Sequence, residues 1–161
     1  MRLFNAIGLA ACVFSLDQLS KYGVLELLEM RTGEFRAVAP FLNFVLTENH
    51  GVNFGLLSSD AAWQPFALAG LALAVSAFLL VWAARSDDWR IVFGSGAVAG
   101  GALANAYDRL TAGAVVDFLN VDCCAIGNPY AFNLADVGVF LGAALILWSA
   151  WSEPAPVRGD G

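Results

Sequence analysis

Two aspartates in the second half of the chain could form a catalytic pair. Asp117 and Asp136 lie 19 residues apart, each among apolar neighbours. Two carboxyls brought close together share one proton, because both cannot ionise at short range. The ionised carboxyl can then take a proton from water, while the neutral one hydrogen-bonds the scissile carbonyl. The pair therefore indicates aspartic peptidase chemistry, which uses no metal, no cofactor and no covalent intermediate.

Other catalytic schemes have little support in the residues of this chain. His50 is the only histidine, which excludes a histidine-rich metal site, and no Gly-x-Ser-x-Gly motif marks a serine nucleophile. Ser20 and Lys21 do not form a dyad, because helical neighbours point about 100° apart. Cys123 and Cys124 are interpreted as unpaired loop thiols, since adjacent cysteines could form only a strained disulfide or half of a metal site.

The composition is that of an integral membrane protein. Hydrophobic residues make up 59% and charged residues 14% of the 161 positions, against about 45–50% and about 25% in soluble domains. The mean hydropathy is +0.68. Eight Lys and Arg stand against 14 Asp and Glu, a net charge of −6, so no basic patch is available for polyanions. These values exclude a disordered chain, a nucleic-acid-binding protein and an ordinary soluble enzyme.

Four apolar segments are long enough to cross a membrane as helices, which takes about 20 mostly apolar residues each. They cover residues 3–28, 61–84, 91–107 and 131–151. We therefore predict an all-α membrane protein with four transmembrane helices, a single domain over residues 1–152 and a disordered tail over residues 153–161. Glycines spaced four apart in the third and fourth segments are typical of faces where helices approach closely.

The polar residues of these segments converge on one side of the membrane. In a four-span up-and-down bundle, the end of span one, the start of span two, the end of span three and the start of span four share one side. Ionisable groups inside a span cost at least about 2.5–3.5 kcal/mol each, so they mark function or a paired structural role. The converging residues are Asp17, Lys21, Asn105, Asp108, Arg109, Asn133 and Asp136 in the spans, and Asn49 and Asp117 in the loops.

Asp17 and Lys21 have the spacing of an ion pair. They are four residues apart, so they can pair on one face of the first helix. Two interpretations remain open: a neutralised structural pair, or a direct role in the chemistry.

The loops on the polar side resemble strands. Residues 41–47 and 113–119 are runs rich in aromatic and β-branched residues, and they predict a small sheet on the outer membrane surface. Arg85 and Arg90 flank the short turn between the second and third spans, and the positive-inside rule places that turn and both termini in the cytoplasm. The polar cluster then lies at the extracytoplasmic face.

Five blocks of this sequence resemble the lipoprotein signal peptidase family, also called signal peptidase II, over nearly the full chain. They occur in the family's order and at matching spacings. The blocks are residues 17–21 (DQLSK), 49–54 (NHGVNF), 100–109 (GGALANAYDR), 115–118 (VVDF) and 132–136 (FNLAD).

The resemblance implies a fold, an activity and partners. The fold has four transmembrane helices, a small extracytoplasmic β-cradle and a short surface helix. The activity is cleavage of a bacterial prolipoprotein signal peptide just before a diacylglyceryl-modified cysteine. We expect a multi-pass monomer of the bacterial inner membrane that contacts membrane lipids, requires no cofactor, binds no nucleic acid and is inhibited by globomycin-type cyclic peptides.

The resemblance also assigns roles to residues. Asp117 and Asp136 match the catalytic dyad. The remaining matched residues surround the dyad, contact the peptide or support the site: Asn49, Gly51, Asn105, Arg109, Asn133, Asp17, Lys21 and Asp108. Four departures from the family pattern bear on loop packing and substrate preference. They are His50, Asn53, Ala104 and the pair Cys123-Cys124, which stands in the segment 120–130 where the family often has aromatic residues.

Two alternative functions remain. A small ion- or proton-coupled transporter would use the same charges as a relay, but a relay needs ionisable residues reaching both faces of the membrane. A non-catalytic paralogue would bind lipidated peptides without cleaving them. Its only motivation is Ala104, where the family usually has Gly, and both aspartates argue against it.

Overall fold

Four helices occupy the four apolar segments. The computed structural model describes residues 1–51, 62–122 and 127–152. The helices are α1 (Arg2–Tyr22), α2 (Gln64–Arg85), α3 (Trp89–Ala112) and α4 (Leu134–Ser152), and α1 continues into a π-helical turn over Gly23–Leu27. Asp88 caps the start of α3 by accepting a hydrogen bond from the Arg90 amide. Gly113, with a φ of 80°, ends this helix in the left-handed conformation that glycine adopts without strain.

Three of the four helices are long and apolar enough to cross a membrane. They span Arg2–Leu27, Gln64–Arg85 and Leu134–Ser152. The helix α3 differs because it lies at the centre of the bundle, where each of the other three helices makes its most extensive helix contact with it. Its surface is built from glycine and alanine rather than from large apolar side chains, and this lowers its hydropathy.

Glycines of α3 set the separation between the helices. A Cβ added at Gly100 would lie 2.5 Å from the carbonyl oxygen of Ala10, and one at Gly96 would lie 2.6 Å from that of Ala6. The same helix approaches α4 closely between Gly94 and Gly142. The prediction of small-residue helix contacts is confirmed. Gly101 likewise approaches Ala135 near the start of α4, so the order of these contacts makes α1 parallel and α4 antiparallel to α3.

A three-stranded antiparallel sheet lies at one end of the bundle. Its strands are β1 (Phe35–Ala39), β2 (Leu42–Asn49) and β3 (Val115–Val121), in the order β1-β2-β3. The two predicted runs become β2 and β3 with shifts of one or two residues. The exposed strand β1 was not predicted. A small apolar core of Val24, Met30, Leu46 and Phe118 joins the sheet to the end of α1.

The opposite end of the bundle is held by a separate polar contact. The Asp88 carboxylate accepts hydrogen bonds from the Arg90 guanidinium and, at 2.5 Å, from the Ser149 hydroxyl. The Arg90 guanidinium also lies over the Trp148 ring, 5.4 Å from its centroid. These contacts tie the start of α3 to the end of α4. The predictions for Asn53, Cys123, Cys124 and the tail 153–161 lie outside the described residues.

Candidate functional site

Asp117 and Asp136 are brought together from different elements, and one asparagine contacts both. Asp117 lies on β3, and Asp136 lies in the first turn of α4; their exposed fractions are 2% and 3%. Asn133 donates from Nδ2 to Oδ1 of Asp117 at 2.7 Å, and from its backbone amide to Oδ2 of Asp136 at 3.4 Å. Both carboxyls are therefore fixed relative to the same residue.

The position of Asp136 follows from how α4 begins. Asn133 immediately precedes the helix, and its Oδ1 accepts a hydrogen bond from the Asp136 amide at 2.9 Å. The Asp136 side chain returns the contact to the Asn133 amide. This reciprocal arrangement resembles a capping box, which satisfies amides that a helix start leaves without partners. The carboxyl is thus part of the helix cap, so the local sequence Asn-Leu-Ala-Asp determines its direction.

Two more asparagines hold the other oxygens of the pair. Asn105 on α3 donates from Nδ2 to Oδ1 of Asp136 at 3.0 Å, and its own Oδ1 accepts from Asn133 at 3.1 Å. Asn49, the last residue of β2, donates from Nδ2 to Oδ2 of Asp117 at 3.0 Å. All four carboxylate oxygens therefore accept a hydrogen bond from an asparagine.

The environment of Asp117 favours its protonated form. Burial is the main cause, the negative charge of Asp136 adds to it, and together they raise the pKa of Asp117 from 3.8 to about 7. Hydrogen bonds from Asn49 and Asn133 to the carboxylate oppose this shift only in part. Asp117 can therefore hold and exchange a proton near neutral pH.

Arg109 holds the loop that follows β2. It donates from one terminal nitrogen to the Gly51 carbonyl at 2.6 Å and from the other to the Asn105 carbonyl at 3.1 Å. The Gly51 amide in turn donates to Oδ1 of Asn49 at 3.0 Å. Arg109 thereby positions the backbone that orients Asn49.

Gln64 is a member of this site that sequence reasoning did not select. It opens α2, is 5% exposed, and donates from Nε2 to the His50 carbonyl. Two consecutive carbonyls of the loop are thus held from α2 and α3. A signal was available, because Gln64 is the only strongly polar residue in the second apolar segment.

Asp17, Lys21 and Asp108 form a buried group of charges next to the pair. The Lys21 ammonium lies 2.6 Å from Oδ2 of Asp17 and 2.6 Å from Oδ2 of Asp108, and 3.5 Å from Oδ1 of Asn105. The predicted pairing of Asp17 with Lys21 is present, and it extends to a third residue on α3. Gln18 adds a hydrogen bond to Oδ1 of Asp108 at 2.8 Å.

The residues selected from the sequence therefore meet at one end of the bundle, beneath the sheet. Among residues 1–51, 62–122 and 127–152, no group of three or more His, Cys, Asp or Glu side chains could hold a metal ion. The arrangement instead offers two buried carboxyls with fixed oxygens, and the raised pKa of Asp117 lets that carboxyl exchange a proton near neutral pH. Such a pair can activate a water and polarise a carbonyl.

Known proteins resemble this chain over nearly its full length. The family model described as signal peptidase (SPase) II matches residues 9–152. A lipoprotein signal peptidase of Methylocella silvestris is 37% identical over 149 residues, covering 92% of this chain and 86% of the relative. One of an Azoarcus species is 41% identical over 142 residues, covering 88% and 79%. A solved bacterial membrane enzyme superimposes with a TM-score of 0.77 at 27% identity, covering 97% of this chain and 93% of that one.

Proposed function

The chain belongs to the signal peptidase II family, and we propose that it cleaves prolipoproteins by an aspartic mechanism in which Asp117 and Asp136 are the catalytic dyad. It is a membrane peptidase that processes prolipoproteins. The observation that carries the aspartic mechanism is the shared contact of both carboxyls with Asn133. It keeps them within reach of one substrate bond.

The environments of the two carboxyls suggest a division of labour. The pKa of Asp117 is raised to about 7, so the protonated form is available near neutral pH. In this form Asp117 donates a hydrogen bond to the carbonyl of the scissile peptide. Asp136 lies at the N-terminus of α4, where the helix dipole and the Asn105 amide stabilise a carboxylate, and it is the base.

The reaction proceeds in two proton-balanced steps. Asp136 takes a proton from water, the hydroxide forms a bond to the carbonyl carbon, and the Asp117 proton moves to the carbonyl oxygen. Asp136 then donates its proton to the amide nitrogen as the C–N bond breaks. Asp117 recovers a proton from the diol as the new carboxylic acid forms.

The placement in the membrane is part of the proposal. The helix α3 forms the fourth span: its 24 residues reach about 36 Å at about 1.5 Å per residue, and the other three helices shield its polar end. Arg85 and Arg90 lie at the opposite end of the bundle, so both termini are cytoplasmic and the sheet and dyad are extracytoplasmic. Residues 1–152 act as one monomeric unit.

The position of the dyad relative to the membrane indicates which bond of the substrate is cleaved. The dyad lies where apolar helices meet the sheet, at the depth where a lipid-modified residue leaves the bilayer. Cleavage just before a diacylglyceryl-cysteine fits this depth, and membrane lipids and globomycin-type cyclic peptides are expected ligands. The similarity to lipoprotein signal peptidases favours neither a transporter nor a non-catalytic paralogue.

Substitution of the dyad tests the mechanism. Asp117→Asn and Asp136→Asn preserve size but cannot share a proton, so each should abolish cleavage of a lipidated prolipoprotein, and the double variant should be no worse. Glu26→Gln, which removes an exposed carboxyl from the π-helical turn, is the matched control and should keep full activity. Substantial turnover by either dyad variant in correctly inserted protein would refute the aspartic mechanism.

Cysteine labelling tests the orientation. In a cysteine-free background, Glu34→Cys near the sheet should react with an impermeant thiol reagent added from outside. Asp87→Cys in the turn between α2 and α3, whose side chain is 84% exposed, should not react until the membrane is opened. The reverse pattern would invert the proposed topology.

A further inference from the structure

The buried charges beside the dyad contact the backbone at two particular places. Oδ1 of Asp17 accepts a hydrogen bond from the Ala135 amide at 2.8 Å, and Oδ2 of Asp108 accepts one from the Val116 amide at 3.4 Å. Ala135 directly precedes Asp136, and Val116 directly precedes Asp117. Each carboxylate therefore holds the backbone amide of the residue that precedes one member of the dyad.

Lys21 joins these two contacts into one unit. Its ammonium is 2.6 Å from Oδ2 of Asp17 and 2.6 Å from Oδ2 of Asp108. Asp17 and Lys21 are 0% and 3% exposed, so water does not screen the attraction. A rigid connection thus runs from the first turn of α4, through α1, to α3 and on to β3.

From this connection we infer that Lys21, Asp17 and Asp108 are positioning residues that set the separation of Asp117 and Asp136 through the backbone. The inference rests on the proposed aspartic mechanism. Asp136 belongs to a helix and Asp117 to a strand, and the two elements are joined directly by the backbone pairing of Leu119 with Phe132 and by the contacts of Asn133. The charged unit adds a second, independent connection, since it holds one backbone amide on each element and lies on two further helices.

The contact at Ala135 has a specific physical effect. Ala135 is in the first turn of α4, where amides lack intrahelical partners. Asn133 caps the Asp136 amide, and Asp17 caps the Ala135 amide from a different helix. Two caps of different origin fix both the direction of the helix start and its distance from α1. Asp136 cannot move without breaking one of them.

The alternative is that the charges only hold the helices together. Removing one partner of the charged cluster should lower thermal stability whether the cluster is only structural or also positions the dyad. Stability alone therefore does not distinguish the two roles. A positioning role also changes kcat while leaving KM unaffected, because the substrate still binds to a misplaced dyad. It changes the titration of Asp117 as well, because the distance to Asp136 sets their mutual repulsion. The charged groups around Asp117 are Lys21 on α1, Asp108 and Arg109 on α3, and Asp136 on α4.

Substitutions in purified, lipid-reconstituted full-length protein test the inference. Lys21→Met removes the ammonium and preserves most of the side-chain length. We expect kcat to fall by about 100-fold, as a misplacement of about 1 Å can cause, with KM within about threefold of the original. Asp17→Asn retains an oxygen that accepts from Ala135, whereas Asp17→Leu does not. The Asn variant should therefore keep at least about tenfold more activity than the Leu variant, the difference of one lost hydrogen bond.

Asp88→Asn is the matched control at the other end of the bundle. Asp88 also caps a helix and contacts α4, through Ser149, but it is remote from the dyad. Its substitution should lower the melting temperature and leave kcat unchanged. If the loss of activity follows the loss of melting temperature in all variants, Asp88→Asn included, the charges are structural and the inference is wrong.

Infrared titration separates failure of this inference from failure of the mechanism. The carboxyl band of protonated Asp117 is identified as the one lost in Asp117→Asn. Lys21 also acts on the titration of Asp117 through its charge, so the comparison uses Asp17→Asn and Asp17→Leu, which remove the same charge. The pH midpoint should differ between these two variants and stay unchanged in Asp88→Asn. Equal midpoints in the two Asp17 variants would overturn the positioning role and leave the dyad intact. Turnover by Asp117→Asn would instead overturn the mechanism. If Lys21→Met does not insert, the comparison of Asp17→Asn with Asp17→Leu still decides.

Discussion

Asp117→Asn should stabilise the folded protein at alkaline pH while it abolishes cleavage. The folded state raises the pKa of Asp117 from 3.8 to about 7, mainly because the group is buried and secondarily because Asp136 is negatively charged. Between these two values the folded state binds more protons than the unfolded state. The free energy of unfolding therefore decreases as the pH rises through this range, and at pH 8 the Asp117 carboxyl destabilises the folded state.

The size of the effect follows from the two pKa values. Integrated between pH 5 and pH 8, Asp117 alone should lower the free energy of unfolding by about 2 to 3 kcal/mol. Asparagine does not titrate, and like the protonated carboxyl it is neutral and carries one donor group and one carbonyl acceptor. The variant should therefore lack this pH dependence, and its melting temperature should exceed that of the original chain at pH 8 by about 5 to 10 °C.

Thermal unfolding of lipid- or detergent-solubilised protein at pH 5 and pH 8 measures this difference. Glu26→Gln is the control, because it removes an exposed carboxyl from the π-helical turn and should change neither curve. Equal melting temperatures for Asp117→Asn and the original chain at pH 8, with equal values at pH 5, would refute the reasoning. The buried pair would then carry no unfavourable charge.

Two further predictions concern the loop and the helix contacts. Arg109→Lys keeps the charge but loses the planar group that reaches the Gly51 and Asn105 carbonyls. We therefore expect kcat/KM to fall about tenfold or more while membrane insertion stays normal. Full activity of the variant would mean that charge alone matters at this position. Gly100→Ala places a Cβ 2.5 Å from the Ala10 carbonyl oxygen and should destabilise the protein by about 1–3 kcal/mol or more in thermal unfolding. Gly70→Ala on α2, where nothing lies within 4 Å, should be neutral or stabilising by up to about 1 kcal/mol; equal losses in both variants would contradict the packing argument.

The helices and two of the three strands could be predicted because their signals are local. Apolar runs of about 20 residues define spans wherever they occur, and the aromatic, β-branched runs at 41–47 and 113–119 define strands. The strand β1 has no comparable signal: all five of its residues are exposed, and it forms by pairing with β2. The central place of α3 was also not predicted, since its glycines act only against the particular backbones they meet.

The candidate site could be predicted as a set of residues but not as a network. Charges are costly in apolar helices, so Asp17, Lys21, Asp108 and Arg109 are marked by their positions in or at the end of apolar segments. The resemblance gave Arg109 only a general place around the dyad, and the structure shows that it holds the Gly51 carbonyl. The contribution of Gln64 was not expected, because a single amide near the start of a span is a weak signal.

By itself, the sequence determined which residues are polar inside apolar helices, at which end of a bundle they gather, and which two carboxyls could share a proton. These properties depend on residue type and on position along the chain. Only the tertiary structure decided that Asp17 caps α4 across 118 positions of sequence and that Asp108 holds β3. The physical reason is that both carboxylates bind backbone amides. Every residue except proline carries an amide, so no side chain in the sequence marks which one will be the partner.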